Sequence, residues 1–542
     1  MESKPAIHAS EATSSPLRRP AFRNLWMAAL VSNIGGWMQD TAGAWLMTAL
    51  TTSPLLIALM QTAASLPAVG LAYPAGAAAD IFDRRRLLIF WQSWMLASVA
   101  ILSALTLAGI VSPGTLLALT FLLNIGSALN NPAWQAIVPE LVPRLELPDA
   151  IAINSAGFNL ARAAGPALGG LAVAAFASAA RGAGVVFSLN SASFVAVIGV
   201  LLMWQRTPPF KSALPSERIF GSMRSGLRYL RHAPALQAVF LRAFAFTTFA
   251  SAAWALLAVV ARQDLHQGAM GYGVLNGCLG AGAVLGAAML PKLRRKTTSD
   301  VITMGATIVF TCSLAVLGLS HSTALLIFFL LAAGFAWTST TSTFNVAVQL
   351  CVPSWVQARA LGAYQTVFWA GMAFGSSLWG FIAEHFSTTR SLVVASVGML
   401  CTLPLAFRFH LLRGTPPDLS PYQLNRPSPQ VAIEPNPEDG PVLVSVEYRI
   451  HETEYAAFTH AIHQLRTVRM RDGAIRWGIF RDMAAPERIV ETFVVESWVE
   501  FLRERERMTK SDRAILDRAR SFHSGEGVPL ASFMIYAKEA GE

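Results

Sequence analysis

The chain repeats a pattern that few folds can accommodate, namely uninterrupted runs of about 20 or more mostly apolar residues. A lipid-embedded backbone must satisfy its own hydrogen bonds, which a helix of that length does while crossing the bilayer. The pattern therefore predicts an all-α polytopic membrane protein. Twelve runs occur, near residues 22–49, 54–79, 87–110, 114–138, 150–177, 184–204, 236–261, 269–290, 301–319, 323–350, 358–383 and 388–411.

Charge is distributed unevenly along the 542 residues. The part up to Arg413 has 26 basic and 12 acidic side chains, whereas the part from Gly414 has 16 basic and 20 acidic ones. The basic side chains of the first part stand in short clusters between apolar runs, as membrane topology requires. This distribution argues against a nucleic-acid partner, and it marks the lipid bilayer as the partner of the first 413 residues.

Basic residues also predict the orientation. Loops on the side of the N-terminal tail hold 21 Lys and Arg residues, whereas the opposite side holds only Arg181, Arg262 and Arg390. Because cytoplasmic loops carry the excess of basic residues, we expect an inner-membrane protein with both termini in the cytoplasm.

Several classes of site have no sequence signal. The four cysteines show no paired or metal-ligand spacing, so we expect neither a disulfide framework nor a bound metal. The phosphate-binding pattern G-x4-G-K-[ST] does not occur, so this chain is not expected to use ATP, and no cofactor is expected.

The apolar runs divide into two repeated halves. The fourth run ends with Asn131 and Gln135, and the tenth with Asn345 and Gln349, each pair within the pattern N-x3-Q-x2-V-P. Residues four apart share one helix face, so each half carries the same amide pair at an equivalent place.

The domain organisation follows from these patterns. We expect a cytoplasmic tail, a six-helix half, a cytoplasmic linker, a second six-helix half, a tether and a cytoplasmic domain. Their ranges are 1–21, 22–205, 206–235, 236–413, 414–440 and 441–542. The linker has apolar residues at helical spacing, which predicts an amphipathic helix along the membrane surface.

The spacing of apolar residues along the sequence changes after the tether. Residues 442–450 alternate as in a half-buried strand, and residues 455–465 take helical spacing. Strand-like runs at 474–481 and 488–497, helical runs at 498–507 and 512–521, and a strand near 531–537 complete the order β-α-β-β-α-β. This order predicts a C-terminal ferredoxin-like α+β domain.

The turn after the second span resembles the cytoplasmic-loop signature of the major facilitator superfamily, G-x-x-x-D-[RK]-x-G-[RK]-[RK]. Gly76, Asp80, Arg84 and Arg85 match it, while positions 81 and 83 depart from it. The resemblance implies a twelve-helix fold of two six-helix repeats, and a charge latch on the cytoplasmic side that includes Asp80. The alternative is a plain positive-inside cluster, which accounts for the arginines but not for Asp80.

The fifth span contains Gly165, Pro166, Gly169 and Gly170, in an order that resembles the signature of the superfamily's drug/proton antiporters. Glycines allow close helix approach, and proline loosens the backbone hydrogen bonds, so such a segment can adopt two packings. The alternative is simple packing of small residues.

Two charged residues lie near the middle of predicted spans, Asp40 in the first and Arg162 in the fifth. A charge at that depth is costly and normally faces the protein interior. Our hypothesis is that Asp40 carries the coupling proton and Arg162 tunes it. The alternative is a static polar clamp between the two spans.

The wider pattern is similar to the transmembrane secretion effector branch of the superfamily, which includes enterobactin-exporter-like proteins. The carrying residues are Ala-Trp-Leu at 44–46, Asn-Pro-Ala-Trp-Gln at 131–135 and Gln-x-x-Val-Pro-Ser-Trp at 349–355. The resemblance implies export of an amphiphilic organic molecule such as a siderophore, metabolite or drug, by proton antiport. It also implies a central cavity lined by the first, fourth, seventh and tenth spans, with Asn131, Gln135, Asn345 and Gln349 among its polar residues.

The C-terminal domain resembles the dimeric α+β barrel of antibiotic-biosynthesis monooxygenases, through the run 497–507. Phe501 and Arg505 stand where that pattern has histidines, which argues against a histidine-based enzyme. The resemblance implies a dimerising or regulatory module through which a homodimer could form.

Three readings remain from the sequence: a proton-driven exporter, a membrane-anchored enzyme that acts through the tail, and a membrane sensor with a signalling tail. Deletion of residues 414–542 separates them, because an exporter keeps its transport whereas the other two lose their function. Transport by the truncated chain in membrane vesicles is the measurement.

Overall fold

The computed structural model describes residues 15–143, 146–204, 228–353, 355–411, 418–420, 422, 431 and 435–537. The side chains of residue 73 and of residues 76–81 lie outside this described part. Most of the predicted linker helix, much of the tether, and the latch positions Gly76 and Asp80 therefore lie outside what the structure describes.

Twelve helices form the membrane part of the described chain. They are α1 (Pro20–Leu50), α2 (Pro54–Ile81), α3 (Arg84–Leu107), α4 (Pro113–Leu141), α5 (Leu147–Ala174), α6 (Ala179–Met203), α7 (Pro234–Val259), α8 (Ala269–Arg294), α9 (Ser299–Leu319), α10 (Thr323–Leu350), α11 (Gln357–His385) and α12 (Thr388–Leu400), followed by the short α13 (Pro404–Arg408). The predicted succession of six helices, a gap and six helices is confirmed.

Ten helices of the described residues are long and apolar enough to cross a bilayer by composition alone. The two others of the twelve, α1 and α5, have 31 and 28 residues. They are the helices that carry Asp40 and Arg162, and each also contains several amides and glycines. Charged and amide groups in a bilayer normally face the protein interior, so the polar faces of α1 and α5 are expected to point away from lipid.

Local sequence explains where several helices begin. The Asp83 carboxylate accepts a hydrogen bond from the Arg86 backbone and caps α3. Ser112 forms a reciprocal capping box with Thr115 at the start of α4, and Pro113 supplies the first helical residue. These groups satisfy backbone N–H groups that have no partner within the helix, so each short connection fixes the start of the next span.

The described chain divides into two compact units. The first contains Met1–Ser212, Phe240–Asn345 and Gly362–Leu411. The second contains Ala213–Val239, Val346–Leu361 and Leu412–Glu542, so it joins the C-terminal domain to the end of the linker and to the segment between α10 and α11.

Ion pairs link helix ends on one side of the first unit. Arg19, just before α1, forms two hydrogen bonds with Glu146 at the start of α5, at 2.8 and 2.9 Å. In the C-terminal half, the buried Arg242 guanidinium pairs with Asp300 and donates to the Thr303 hydroxyl at 2.6 Å. The structure thus pairs Arg242 with an acid at the start of α9.

The C-terminal domain is a four-stranded antiparallel sheet packed against helices. Its elements are β1 (Val442–Arg449), α14 (Tyr455–Asp472), β2 (Ala474–Arg481), β3 (Arg488–Val495), α15 (Trp498–Arg507), α16 (Lys510–Arg520) and β4 (Leu530–Ile535). The strand order is β2-β3-β1-β4, and all three pairings are antiparallel. The predicted ferredoxin-like order is confirmed, and the two helical runs predicted at 498–507 and 512–521 correspond to α15 and α16.

A buried ionic cluster lies within the apolar core of this domain. The Arg469 guanidinium donates to Glu504 at 2.8 Å and to Glu491 at 3.2 Å, and Glu491 is fully buried. Trp477 Nε1 also donates to Glu491, at 3.0 Å. Burial by itself lowers the pKa of Arg469, but the two carboxylates raise it above its ordinary value, so the guanidinium stays charged.

A second set of charged and aromatic contacts joins the domain to the other segments of its compact unit. Glu500 accepts a hydrogen bond from Arg228 of the linker end at 2.8 Å and one from Arg507 at 2.6 Å. The Arg507 guanidinium also lies 4.4 Å from the ring centroid of Trp355, and Trp355 packs edge-on against the buried Tyr229. Desolvated aromatic and arginine contacts of this kind carry much of the energy of stable interfaces.

Removal of Arg469 is expected to destabilise the C-terminal domain strongly. Arg469→Ala leaves the Glu491 and Glu504 carboxylates buried without their cation, which costs about 3–5 kcal/mol. Hydrogen exchange of the β1 and β3 amides in the full-length protein measures the loss of protection. The control is Arg488→Ala, since the pair between Arg488 and Glu447 is exposed to solvent and contributes little to stability. Equal loss of protection in both variants would contradict the cluster's role.

Candidate functional site

The first unit encloses a cavity of about 550 Å³ between its two six-helix halves. Its walls come from α1, α2, α4 and α5 of the first half and from α7, α8, α10 and α11 of the second. The four helices expected from the family resemblance all contribute, and α2, α5, α8 and α11 contribute as well. A cavity of this size suits a drug-sized organic molecule.

Aromatic side chains form much of the cavity wall. Trp254 and Trp337 lie with ring centroids 4.4 Å apart, and Phe368 lies 5.5 Å from Trp337. Across the cavity, Trp37 packs edge-on against Phe158 at 6.3 Å. Such rings bind flat apolar groups well and leave directional recognition to the few polar side chains among them.

Both predicted charged residues line the cavity. Asp40 lies one helical turn beyond Trp37 on α1, and its side chain is exposed to the cavity although Gln39 beside it is buried. Arg162 lies one turn beyond Phe158 on α5, with its guanidinium 5.9 Å from the Trp37 ring centroid. No ion pair within 4 Å joins Asp40 to Arg162 in the described chain, so they face one space without forming a clamp in this conformation.

Buried polar contacts hold α1 in place around Asp40. The Asn190 side chain of α6 donates to the Gln39 side chain at 2.5 Å. On the other side, Asn276 of α8 donates to the Thr41 hydroxyl at 3.3 Å. These contacts on the residues before and after Asp40 fix the orientation of its carboxyl group toward the cavity.

The predicted amides differ in position. Asn345 lines the cavity, whereas Asn131 and Gln135 do not contribute to its wall as described. Both have exposed side chains, and the Gln135 amide lies 3.4 Å from the Asn131 side-chain oxygen. Gln349 belongs to the second compact unit, where Gln357 donates to it at 3.4 Å.

Other polar lining residues went unrecognised in the sequence, among them Gln61, Asn276, Gln365, Tyr272 and Tyr364. Helical spacing was the available signal. Trp337, Thr341 and Asn345 follow one another at intervals of four on α10, as do Tyr364, Phe368 and Met372 on α11. Nothing in the sequence, however, distinguishes a stripe that faces a cavity from one that faces a neighbouring helix.

The glycines of the fifth span mark very close helix contacts. A Cβ atom added at Gly169 would lie 2.8 Å from the Met38 backbone of α1. One added at Gly170 would lie 2.7 Å from the Gly273 Cα atom of α8. Because α1 and α5 both belong to the first half and α8 belongs to the second, Gly169 allows close packing within the first half, whereas Gly170 brings the two halves into direct backbone contact.

The two halves also meet at the end of the bundle opposite to the chain's N-terminal end. The Ser53 hydroxyl donates to Glu384 at 2.7 Å, and Arg262 donates to the Thr48 hydroxyl at 3.1 Å. Deeper in the bundle, the hydroxyl groups of Thr62 on α2 and Ser376 on α11 lie 2.8 Å apart. These hydrogen bonds join the two halves on that side of the bundle.

The described latch arginines contact helices of their own half. Arg84 donates to Glu140 at 2.8 Å and to the Ala136 carbonyl at 3.0 Å, both on α4. Arg85 donates to the Leu201 and Leu202 carbonyls at the end of α6. The two arginines therefore tie α3 to α4 and α6 in this conformation.

The run 497–507, on which the sequence resemblance to monooxygenases was based, contributes side chains to the core of the C-terminal domain. Phe501, at one of the positions where that pattern has histidine, is buried in the core and lies 4.9 Å from the Phe533 ring centroid. The ionic cluster around Arg469 fills the space between sheet and helices. Among the described residues, no group of three or more metal-ligating side chains is found.

Comparison with known proteins agrees with this architecture. The family model described as transmembrane secretion effector matches residues 11–540. The uncharacterized MFS-type transporter YfiS of Bacillus subtilis is 26% identical over 403 residues, which cover 70% of this chain and 92% of YfiS. The multidrug efflux pump Tap of Mycolicibacterium fortuitum is 24% identical over 383 residues, which cover 69% of this chain and 91% of Tap.

The fold is similar to that of solved transporters. The crystal structure of the nucleoside transporter NupG superposes with a TM-score of 0.56 at 13% identity, covering 72% of this chain and 98% of NupG. At that identity the likeness concerns the fold alone.

Substitution of Gly170 tests the backbone contact between the halves. In Gly170→Ala the new methyl group would lie 2.6 Å from the Ala269 carbonyl oxygen, so we expect destabilisation of about 1–3 kcal/mol and a lower melting temperature in detergent. Gly199→Ala is the control, because a Cβ atom at Gly199 would have no atom within 4 Å. The substitution also replaces a conformationally flexible residue within a helix. A melting temperature unchanged by Gly170→Ala would contradict the tight contact.

Proposed function

Since the chain belongs to the transmembrane secretion effector family of the major facilitator superfamily, we propose that it exports an amphiphilic organic molecule by proton antiport. The observation that carries this proposal is the aromatic cavity between the two halves, with Asp40 as the carboxylate among its described lining residues. Siderophores, secondary metabolites and drugs are the substrate classes that combine polar groups with apolar surface of this size.

Alternating access is the proposed transport cycle. The halves touch through glycines at α5 and α8 and through small hydroxyl residues at α2 and α11, which are surfaces with few interlocking side chains. Such surfaces allow one half to rock against the other at low cost. We propose that the hydrogen bonds of Ser53 with Glu384 and of Arg262 with Thr48 close one end of the cavity, and that they open in the cycle to release substrate.

The proposed orientation places that closed end on the outer side of the inner membrane, with both chain termini in the cytoplasm. The excess of basic loop residues supports this orientation. Gly76, Asp80, Arg84 and Arg85 then lie on the cytoplasmic side, where we propose that they latch the halves together when the cavity opens outward. Gly165 and Pro166 would let α5 bend between the two packings.

Asp40 is the proposed proton carrier. The ionisable side chains in the described cavity wall are Asp40, Arg162, Tyr272 and Tyr364. Arginine and tyrosine keep one protonation state near neutral pH, so Asp40 is the group of this set that can take up and release a proton there. Arg162 lines the same cavity and is proposed to tune the protonation of Asp40.

The C-terminal domain is proposed to act as an accessory module. Its outer sheet face carries exposed apolar residues, including Phe480 and Leu530, which lie in one cross-strand row with Val490 and Glu447. An exposed apolar sheet face supports pairing with a second copy of the chain. The molar mass of the protein in detergent tests this homodimer.

Substitution of Asp40 tests proton coupling. Exchange of one proton for one substrate supports about tenfold accumulation per unit of pH gradient. In inverted vesicles that are acidic inside, we expect the wild type to accumulate a fluorescent amphiphile only while the gradient is present. Asp40→Asn is expected to abolish this gradient-driven accumulation, because an amide cannot carry the proton.

The control for this measurement is Asp149→Asn, which removes an exposed carboxylate at the start of α5 outside the cavity wall. This variant is expected to accumulate substrate as the wild type does. Gradient-driven transport that survives Asp40→Asn with the same pH dependence would exclude Asp40 as the carrier.

A further inference from the structure

Asp40 and Arg162 both lack a polar partner in the cavity. In the described chain, neither the Asp40 carboxylate nor the Arg162 guanidinium forms a hydrogen bond or an ion pair. The Arg162 guanidinium lies over the face of the Trp37 ring. The carboxylate and the five guanidinium N–H groups therefore remain available to a molecule in the cavity.

Two buried arginines elsewhere in the described chain form ion pairs within the protein. Arg242 pairs with Asp300 and Thr303, and Arg469 pairs with two carboxylates. An unpaired charge inside the membrane is costly, and the usual remedies are an ion pair within the protein or a bound counter-ion. The described cavity wall contains one unpaired charge of each sign, so the ligand that satisfies both carries both a cationic and an anionic group.

We propose that the transported molecule is a zwitterionic amphiphile, an inference that rests on the proposed export function. Its anionic group binds Arg162, its cationic group binds Asp40, and its apolar body packs among Trp37, Phe158 and Trp254. Guanidinium binds carboxylate through paired hydrogen bonds, which suits an organic acid that also bears an amine. The aromatic walls accept a flat body, since ring faces pack against one another at low entropic cost.

This assignment also explains how the proton competes with the substrate. A proton on Asp40 neutralises the carboxylate and removes the partner of the cationic group, whereas the contact of the anionic group with Arg162 persists. Binding of the zwitterion thus weakens at low pH, because its cationic group loses the interaction with the Asp40 carboxylate. Tyr272 and Tyr364, the other ionisable lining residues, remain neutral over that range.

Three dansyl compounds with one fluorescent body test the charge requirement. Nε-dansyl-lysine is a zwitterion, dansylcadaverine carries only the amine, and dansyl-6-aminohexanoate carries only the carboxylate. Energy transfer from the cavity tryptophans to the dansyl group reports binding to the full-length protein in detergent at pH 7.5. Because a hydrogen bond to a charged group is worth about a factor of 10–100 in affinity, the wild type should bind dansyl-lysine that much more tightly than either other compound.

Variants assign each charge to its partner. Arg162→Gln should weaken the binding of dansyl-lysine about 10- to 100-fold, to the affinity of dansylcadaverine, and should leave the affinity for dansylcadaverine unchanged. Asp40→Asn should reduce the affinity for dansyl-lysine to that for dansyl-6-aminohexanoate. Arg162→Lys should retain part of the selectivity because the cation persists. Arg181→Gln, which replaces an exposed arginine at the start of α6, should leave the affinities for all three compounds unchanged.

Tightest wild-type binding of dansylcadaverine or of the acid would overturn the proposal, as would failure of dansyl-lysine to bind. An equal loss for all three compounds in Arg162→Gln would assign that residue a structural role and also overturn it. These outcomes are independent of proton-driven accumulation in vesicles. If accumulation persists while the zwitterion preference is absent, the export function stands and the substrate class is wrong.

Discussion

The close contact of α5 with both α1 and α8 determines the geometry of the membrane part. At Gly169 and Gly170 the backbones of three helices approach so closely that a methyl group would clash with main-chain atoms. About two helical turns earlier on α5, a Cβ atom added at Gly280 of α8 would clash with the Arg162 carbonyl oxygen. Arg162 is therefore held at the boundary between the halves, and its side chain reaches the cavity that the boundary encloses.

The chemistry of the cavity follows from that placement. Asp40 reaches the same space from α1, where contacts of Gln39 with Asn190 and of Thr41 with Asn276 fix the helix. The two charges share a wall with Trp37 but remain unpaired, unlike the ion pairs that stabilise the helix ends. Charges at the helix ends form ion pairs, whereas the two charged side chains of the described cavity wall do not.

Much of the fold could be predicted, because apolar length and period are local properties. Strand β2 spans Ala474–Arg481 and α15 spans Trp498–Arg507, the residues that alternation and helical spacing indicated. The second helical run, predicted at 512–521, begins slightly earlier in the structure, because the Thr509 side chain caps α16 at Lys510. In the site, Asp40 and Arg162 were recognisable because charge is rare in a span, whereas neutral residues such as Gln365 carried no such signal.

The sequence by itself determined the class of protein, the twelve helices, their two repeated halves and the order of the C-terminal domain. Those properties depend on composition and on spacing along the chain. Only the tertiary structure decided that Asn345 faces the cavity while Gln349 belongs to the unit of the C-terminal domain. It also decided that Arg162 and Asp40 share a space without pairing. Helical spacing fixes which residues share a face, but packing between distant helices decides what that face meets.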